Sequence, residues 1–552
     1  MIEEKKSDNE ILKKFTMPNV QEGCIIEYTY TLASDFNYIP DWSFQQEIPI
    51  AWSEYRVSIP EYYLFRLQFQ GYENLTINEQ TTGNVDYRIT SHSQQIDDGG
   101  TASVVSRSEA ASQTVSMHTT NYRWVFQNAP AIRPETYITT IEDCLDKVSF
   151  DLASVRLPSS PPKNYSVTWE DLSKDLIKND KFGSQLTHFN FLKEAIENIK
   201  KQKQDTLGSI VLAYDFVRKN VKWNSNDGVY AETKIKTAFE NKIGNDADIN
   251  LMLVSLLREL GYNANPVILS TRSHGRMLES YLLLNKFNYT IAQVNVGGKD
   301  LLLDATDPFV KPGMLPMRCL NGVGRLIAEN GDSRWIQLTP FEKISKTVLL
   351  NVTLDEKGQL AGNWDVYHNG YDGLVERQKL DKRGEDGYVT DFKKSLSGWE
   401  VSKIEIVNAE DLSQSLALKA EVKTESVAQM GGNRIYFKPL ITESLERNPF
   451  LLPERKYPVD FGSPIEETFK ATYLLPKGYV VEEMPKSMKM TLPEDGGIYN
   501  FLTSVTADGK LLISSKLTIK KAIFYAEEYD GLKQFYEKII AKHAEQIVLK
   551  KQ

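Results

Sequence analysis

Between residues 20 and 155 apolar and polar side chains alternate with the two-residue period of strands. The pattern is clearest in Cys24-Ile25-Ile26-Glu27-Tyr28-Thr29-Tyr30 and Tyr62-Tyr63-Leu64-Phe65-Arg66-Leu67-Gln68-Phe69. β-Branched and aromatic residues dominate these runs and turn residues such as Asp98-Gly99-Gly100 separate them, which predicts a β-sandwich-like domain. The stretch Leu157-Pro158-Ser159-Ser160-Pro161-Pro162-Lys163 has no apolar period and is stiffened by proline, so it reads as a linker. Beyond it the period lengthens. Helices are expected over 191–199 and 207–221, the second with an apolar stripe of Ile210, Ala213, Tyr214, Phe216 and Val217. A third helix is marked by Ile249, Leu253, Leu256 and Leu260 and stopped by Gly261-Tyr262-Asn263. Strands at 265–269, 289–294 and 300–303 follow, the order of an α+β core. From about Thr347 strands return, with a polar hairpin turn at Asp355-Glu356-Lys357-Gly358 and a helical interruption over 371–396. An amphipathic helix over 529–548, with Leu532, Phe535, Ile539 and Ile540 on one face, closes the chain.

The expected fold class is therefore multidomain α+β: an N-terminal β-rich domain over 1–165, a core over 166–345, and a C-terminal β-rich domain with a terminal helix over 346–552. A length of 552 residues suits three domains, each able to bury a core. The 65 basic and 74 acidic residues include no basic run to neutralise phosphates, which argues against a nucleic-acid partner. Three cysteines do not build a disulfide framework. No apolar run is long enough for a membrane-spanning helix, and the charged start Met1-Ile2-Glu3-Glu4-Lys5-Lys6 is not a signal peptide.

Candidate chemistry gathers in Gly244-Asn245-Asp246-Ala247-Asp248-Ile249-Asn250, which opens the third helix, and in Phe287-Asn288-Tyr289 and Leu303-Asp304-Ala305-Thr306 further on. The Asp-x-Asp-x-Asn alternation is not a calcium loop, because Leu251 stands where the turn glycine is needed and an apolar helix begins at once. The six histidines form no metal-spaced pair, and His274 lies in the polar loop Ser273-His274-Gly275-Arg276. Cys24, Cys144 and Cys319 sit in strand-like runs or a loop and are poor nucleophile candidates. No nucleotide fingerprint or metal motif appears, so neither a cofactor nor a metal is expected.

These strings resemble the transglutaminase-like superfamily, whose papain-type core carries a Gly-x-Cys-x-Asp turn opening a helix, then a His and an Asp on successive strands. Gly244, Asp248 and Asp304 match that pattern, whereas Asp246 stands at the cysteine position and Asn288, with Tyr289 as the alternative, at the histidine position. Ala247-Asp248-Ile249-Asn250-Leu251-Met252-Leu253 and Arg318-Cys319-Leu320-Asn321-Gly322 are among the most specific strings. The wider chain is similar to multidomain envelope proteins of Gram-negative bacteria in which β-rich domains of unknown function flank such a core. That resemblance implies export to the periplasm or cell envelope, and a leading domain that begins further upstream in related chains.

A thiolate is stabilised at a helix N-terminus. A carboxylate there is expected to stay acidic and to be a weak base and nucleophile. The degenerate positions Asp246, Asn288 and Asp304 therefore imply a binding or scaffold module rather than an enzyme. Its cleft would be lined by Trp223, Asp227, Asn245, Asp248, Arg272 and Tyr289, and its partner would be a protein, a peptide or a glycan. The alternatives are a divergent amide or peptide hydrolase pairing Asp246 with Asp304, and a glycan-binding protein. Each residue also has a plainer role: Asn245 and Asp246 as helix caps, Trp223 as a packing aromatic, Tyr289 as a sheet aromatic, Arg272 as an ion-pair partner and Asp227 as a turn residue.

Overall fold

The computed structural model describes residues 2–7, 10–31, 38–94, 108–157, 161–165, 168–187, 190–202, 204–277, 279, 284–425 and 427–552. These fall into two compact units, Met1–Pro40 and Asp41–Gln552. In the first, strands Ile2–Ser7 and Glu10–Lys14 form an antiparallel hairpin with Glu3 opposite Lys13, and the two side chains pair at 3.1 Å. The alternating run at 24–30 does not form a strand. Ile25, Ile26, Tyr28 and Tyr30 are exposed, and no described residue of the run joins a ladder. Alternation specifies a strand only where a sheet edge takes up its N–H and C=O groups.

The second unit opens with two facing sheets. One runs in the order Ile50–Pro60, Ser108–Ala129, Ile77–Gln94; the other in the order Trp42–Ser43, Lys147–Val155, Tyr63–Gln70. Trp124 from the first sheet meets Phe69 at 5.3 Å and Phe150 at 6.0 Å from the second, a sandwich core of large aromatic faces. The turn at 98–100 and residues 158–160 of the linker lie outside the described residues. The linker's far end is not free: Lys163 and Asn164 pair with Val155 and Ser154.

The middle of the chain forms helices α1 (Trp169–Lys178), α2 (Lys193–Lys201), α3 (Thr206–Asn220), α4 (Ile235–Asn241) and α5 (Asp246–Glu259). They accompany an antiparallel sheet ordered Lys299–Leu303, Tyr289–Val296, Ala264–Leu269, Val323–Ile327, Ser333–Gln337. Alternation assigns its faces. Ile268, Ala292, Val294 and Leu303 join the core of α5, while Val267, Leu269, Tyr289 and Ile291 join Val310, Leu315, Cys319 and Tyr371. Every residue of α5 from Asp246 to Leu257 is buried, so this helix is central rather than amphipathic.

The last segment builds an eight-stranded sheet, antiparallel except where Ile344–Leu354 runs parallel to Ile465–Leu474. Helix α6 (Gly370–Ser395) crosses it and is broken at Gly384, whose φ of 67° suits glycine. Helix α7 (Tyr529–Ala544) packs Leu532, Phe535 and Ile539 inward. It ends earlier than its amphipathic pattern predicts. Ile547–Lys551 forms a strand between Arg434–Phe437 and Tyr479–Glu483, because three successive buried residues, Ile547, Val548 and Leu549, suit a strand covered on both faces.

The expected junctions near 165 and 345 both fall inside the second unit. Buried Asp460, from the last segment, accepts from Arg272 Nη1 and Arg276 Nη2, each at 2.9 Å. Buried Arg455 donates at 2.8 Å to the carbonyl of Thr136 in the β-sandwich segment. No helix among the described residues is long and apolar enough to cross a membrane.

Candidate functional site

The turn into α5 is built by a close approach. A Cβ on Gly244 would lie 2.7 Å from Asp248 Cβ, so only glycine lets Asp248 fold back onto the helix start. Asn245 is the N-cap: its Oδ1 accepts from Asp248 N at 2.8 Å while Asp248 Oδ2 accepts from Asn245 N at 3.0 Å, a closed capping box. Asn245 Nδ2 also donates to the Tyr230 carbonyl, and Asp248 Oδ1 accepts from Thr233 N. These two residues are occupied in holding the helix, not in lining a cleft.

Asp246 caps nothing in its own helix. It is fully buried, and its Oδ1 accepts from Gly228 N at 2.7 Å while its Oδ2 accepts from Thr290 N at 2.6 Å. The side chain thus ties the helix start to the 223–228 loop and to the second strand of the sheet. Burial pushes its carboxyl well above the usual range, with Asp304 and Asp227 acting in the same direction and the two N–H donors opposing. This reverses the expectation that the helix end keeps Asp246 acidic: desolvation of a covered carboxylate outweighs half a charge of macrodipole.

The position opposite is also different from the first expectation. Asn288 turns to Thr271, accepting from its N at 2.8 Å and donating to its Oγ1 at 2.9 Å. Tyr289 takes the place beside the acid, its hydroxyl donating to Asp304 Oδ2 at 2.9 Å. Asp304 Oδ1 is held by Asn250 Nδ2 at 3.0 Å and by Thr306 N at 3.1 Å. The trio that the fold assembles is therefore Asp246, Tyr289 and Asp304.

Arg318 covers two of the three, its Nη2 lying 3.8 Å from Asp304 Oδ2 as well as against Tyr289. Its guanidinium stacks 4.2 Å from the Trp223 ring centre and 5.3 Å from that of Tyr289, and its Nη2 donates to Tyr289 Oη at 2.9 Å. Burial disfavours its charge, but Tyr289 and Asp304 more than compensate and hold the guanidinium firmly protonated. Burial also lifts the Tyr289 phenol far above its ordinary range, so it serves as a hydrogen-bond donor and not as a base. Cys319 Sγ lies 3.6 Å from Asp304 Oδ2, fully buried, its thiol raised by burial and then by Asp304. A thiol so placed is a poor nucleophile.

Of the remaining expected cleft residues, Trp223 is positioned by pairing of Lys222–Trp223 with Ile243–Gly244 and lies against Arg318. Asp227 is at the exposed rim, its carboxyl raised by partial desolvation and drawn back by Arg318 and His274. Arg272 points away, into the clamp on Asp460. Sequence reading did not single out Asn250, Thr306 or Arg318. Asn250 carried a signal, a lone amide within an apolar helical run, which in a buried helix needs partners.

Two family models match the chain. Both describe domains of unknown function with a solved structure: DUF3857 over residues 8–96 and DUF3858 over residues 433–549. A crystal structure from Parabacteroides distasonis provisionally described as a protease is similar at 12% identity and a TM-score of 0.47, over 93% of this chain and 76% of that one. One from Cytophaga hutchinsonii provisionally described as a cysteine protease is similar at 11% identity and a TM-score of 0.19, over 52% of this chain and 88% of that one. No curated protein matches the chain.

Proposed function

We propose that the chain is a catalytically degenerate transglutaminase-like protein of the cell envelope. Its core, over 166–345, acts as a binding or scaffold module between β-rich domains over 1–165 and 346–552. The observation that carries this reading is the commitment of Asp246: both carboxylate oxygens accept backbone N–H groups inside a fully buried setting. Chemistry on a substrate needs a lone pair or proton that can reach it, and Asp246, fully buried and held by two backbone donors, presents neither at a surface. Tyr289, donating to Asp304, reproduces the hydrogen bond an imidazole would make there but not its basicity.

The paired-carboxylate hydrolase gains one point, because the Asp246 carboxyl is raised as a general acid requires. It lacks the geometry, since Asp246 faces only backbone donors and Asp304 faces Asn250, Thr306 and Tyr289. The ligand of a binding module is taken to be a protein or peptide. Trp223, beside Arg318, spends a face on that guanidinium and offers no row of stacking platforms to a glycan.

Restoring the missing groups tests the reading. In a Cys24→Ser background that removes the exposed native thiol, Asp246→Cys with Tyr289→His should give a lower thiol pKa than Asp246→Cys alone, followed by the Cβ chemical shift of the introduced cysteine because the position is fully buried. Asp246→Cys with Asn288→His should match the single variant. Equal thiol pKa values in all three folded variants would mean that positions 246 and 289 do not face each other, and the degenerate-triad reading would fall.

A further inference from the structure

The C-terminal segment contains a cavity of about 240 Å³, bounded by the eight-stranded sheet, the loop at 440–445 and α7. Its floor is apolar, with Val348, Leu440, Phe469 and Ile539 all buried. Its charged wall is made by Lys346 and Glu467, register partners on the two parallel strands, together with Glu443. Lys346 Nζ donates to Glu443 Oε2 at 2.9 Å, so the single ammonium of the lining is already engaged. Glu467 receives only the distant attraction of Lys346 and accepts no hydrogen bond from any described residue. Its side chain is exposed and stands at the mouth of the cavity, above the buried apolar floor. Among the other polar groups of the lining, Tyr499 Oη meets His543 Nε2 at 2.8 Å and Ser515 Oγ at 3.2 Å, whereas the buried Thr442 Oγ1 has no hydrogen-bond partner among the described residues.

Two carboxylates face one lysine here, leaving one acceptor unmatched above an apolar floor. A ligand that fits must bring a positively charged donor on an apolar stem, in a space too small for a large ring system. An anion would meet Glu467 and Glu443 with Lys346 already taken. A divalent ion would leave the apolar floor unused.

We propose that this cavity binds a primary alkylammonium group, its N–H donors on Glu467 and its methylene stem against Val348, Leu440 and Phe469. Desolvation by the surrounding wall pushes the Glu467 carboxyl up against the pull of Lys346, and a bound ammonium would oppose that shift. The group can come from a free aliphatic amine or from a lysine side chain of a polypeptide. The proposal is independent of the core and of its degenerate trio.

The test is titration of the full chain, followed by methyl NMR, with n-butylammonium, Nα-acetyl-lysine amide and, as the uncharged control, n-butanol. Both ammonium probes should shift the Leu440 and Val348 methyls with dissociation constants on the order of 1 mM, and butanol should not. Tighter binding of the lysine amide assigns the polypeptide source, and equal or tighter binding of butylammonium the free amine. Glu467→Gln should weaken either probe by about tenfold while the unfolding temperature holds. If that variant does not fold, the wild-type methyl map still decides. Shifts elsewhere, no binding on the order of 10 mM, or butanol binding as well as butylammonium would overturn the proposal.

Discussion

A carboxylate has two oxygens, and at Asp246 each accepts a backbone N–H, from Gly228 and from Thr290, with no part of the residue open to solvent. Asp246→Ala leaves the buried Thr290 N–H and the part-buried Gly228 N–H without partners, at a cost of about 1–3 kcal/mol for a fully buried donor and less for a partly exposed one. The variant should therefore lose about 2–5 kcal/mol of unfolding free energy in urea titration, more than the roughly 1 kcal/mol of a surface cap. A loss within 0.5 kcal/mol, the ordinary scatter of neutral surface changes, would show that Gly228 and Thr290 do not depend on it. Sequence placed Asp246 at a helix start and Gly244 in the turn before it, because spacing and residue type report local conformation. It did not report that Asp246 is covered from two sides, or that Tyr289 rather than Asn288 meets Asp304. Both facts come from contacts between segments more than ten residues apart in the chain. A slip of one residue along a strand changes the face a side chain points to, so adjacent candidates cannot be separated without the register.

At the scale of elements, α7 shows how a helix can be keyed to a sheet by one buried residue. His543, in its last turn, accepts from Leu445 N through Nδ1 at 3.0 Å, which leaves the ring proton on Nε2 to donate to Tyr499 Oη at 2.8 Å. A second proton would have to sit on Nδ1, facing an N–H. Burial lowers the imidazole to about 4 from 6.5. Because the folded pKa lies below the unfolded one, the unfolded state binds more protons between pH 6.5 and pH 4. Stability from this site is complete above pH 6.5 and is lost as pH falls toward 4, by on the order of 3 kcal/mol. Urea midpoints measured across that range should fall more steeply with acid in the wild type than in His543→Asn. Parallel slopes would contradict the burial of a neutral ring. Helices α2, α3 and α5 and the strands Ala264–Leu269, Tyr289–Val296 and Lys299–Leu303 were legible from period, whereas α1, α4 and the strands Val323–Ile327 and Ser333–Gln337 were not singled out. The run at 24–30 and the strand Ile547–Lys551 were misread for opposite reasons: the first has the pattern without a paired edge, and the second was absorbed into the period of the helix before it.

At the scale of the molecule, α+β organisation with several separate sheets was visible in the succession of periods, but the fusion of residues 41–552 was not. That fusion rests on buried charge clamps such as Asp460 between Arg272 and Arg276, formed by residues nearly two hundred positions apart. A single sequence marks such residues only as charged, so Arg272 read as a cleft candidate. A core that has exchanged catalysis for structure, as proposed, should leave amide substrates untouched. The wild-type protein should be incubated with glutamine-containing peptides, with and without an aliphatic amine donor, and scored for ammonia release, amine incorporation and peptide cleavage. No turnover above the buffer blank is expected, with or without prior thiol alkylation; sustained turnover that alkylation or Asp246→Ala abolishes in protein that remains folded would refute the degenerate core.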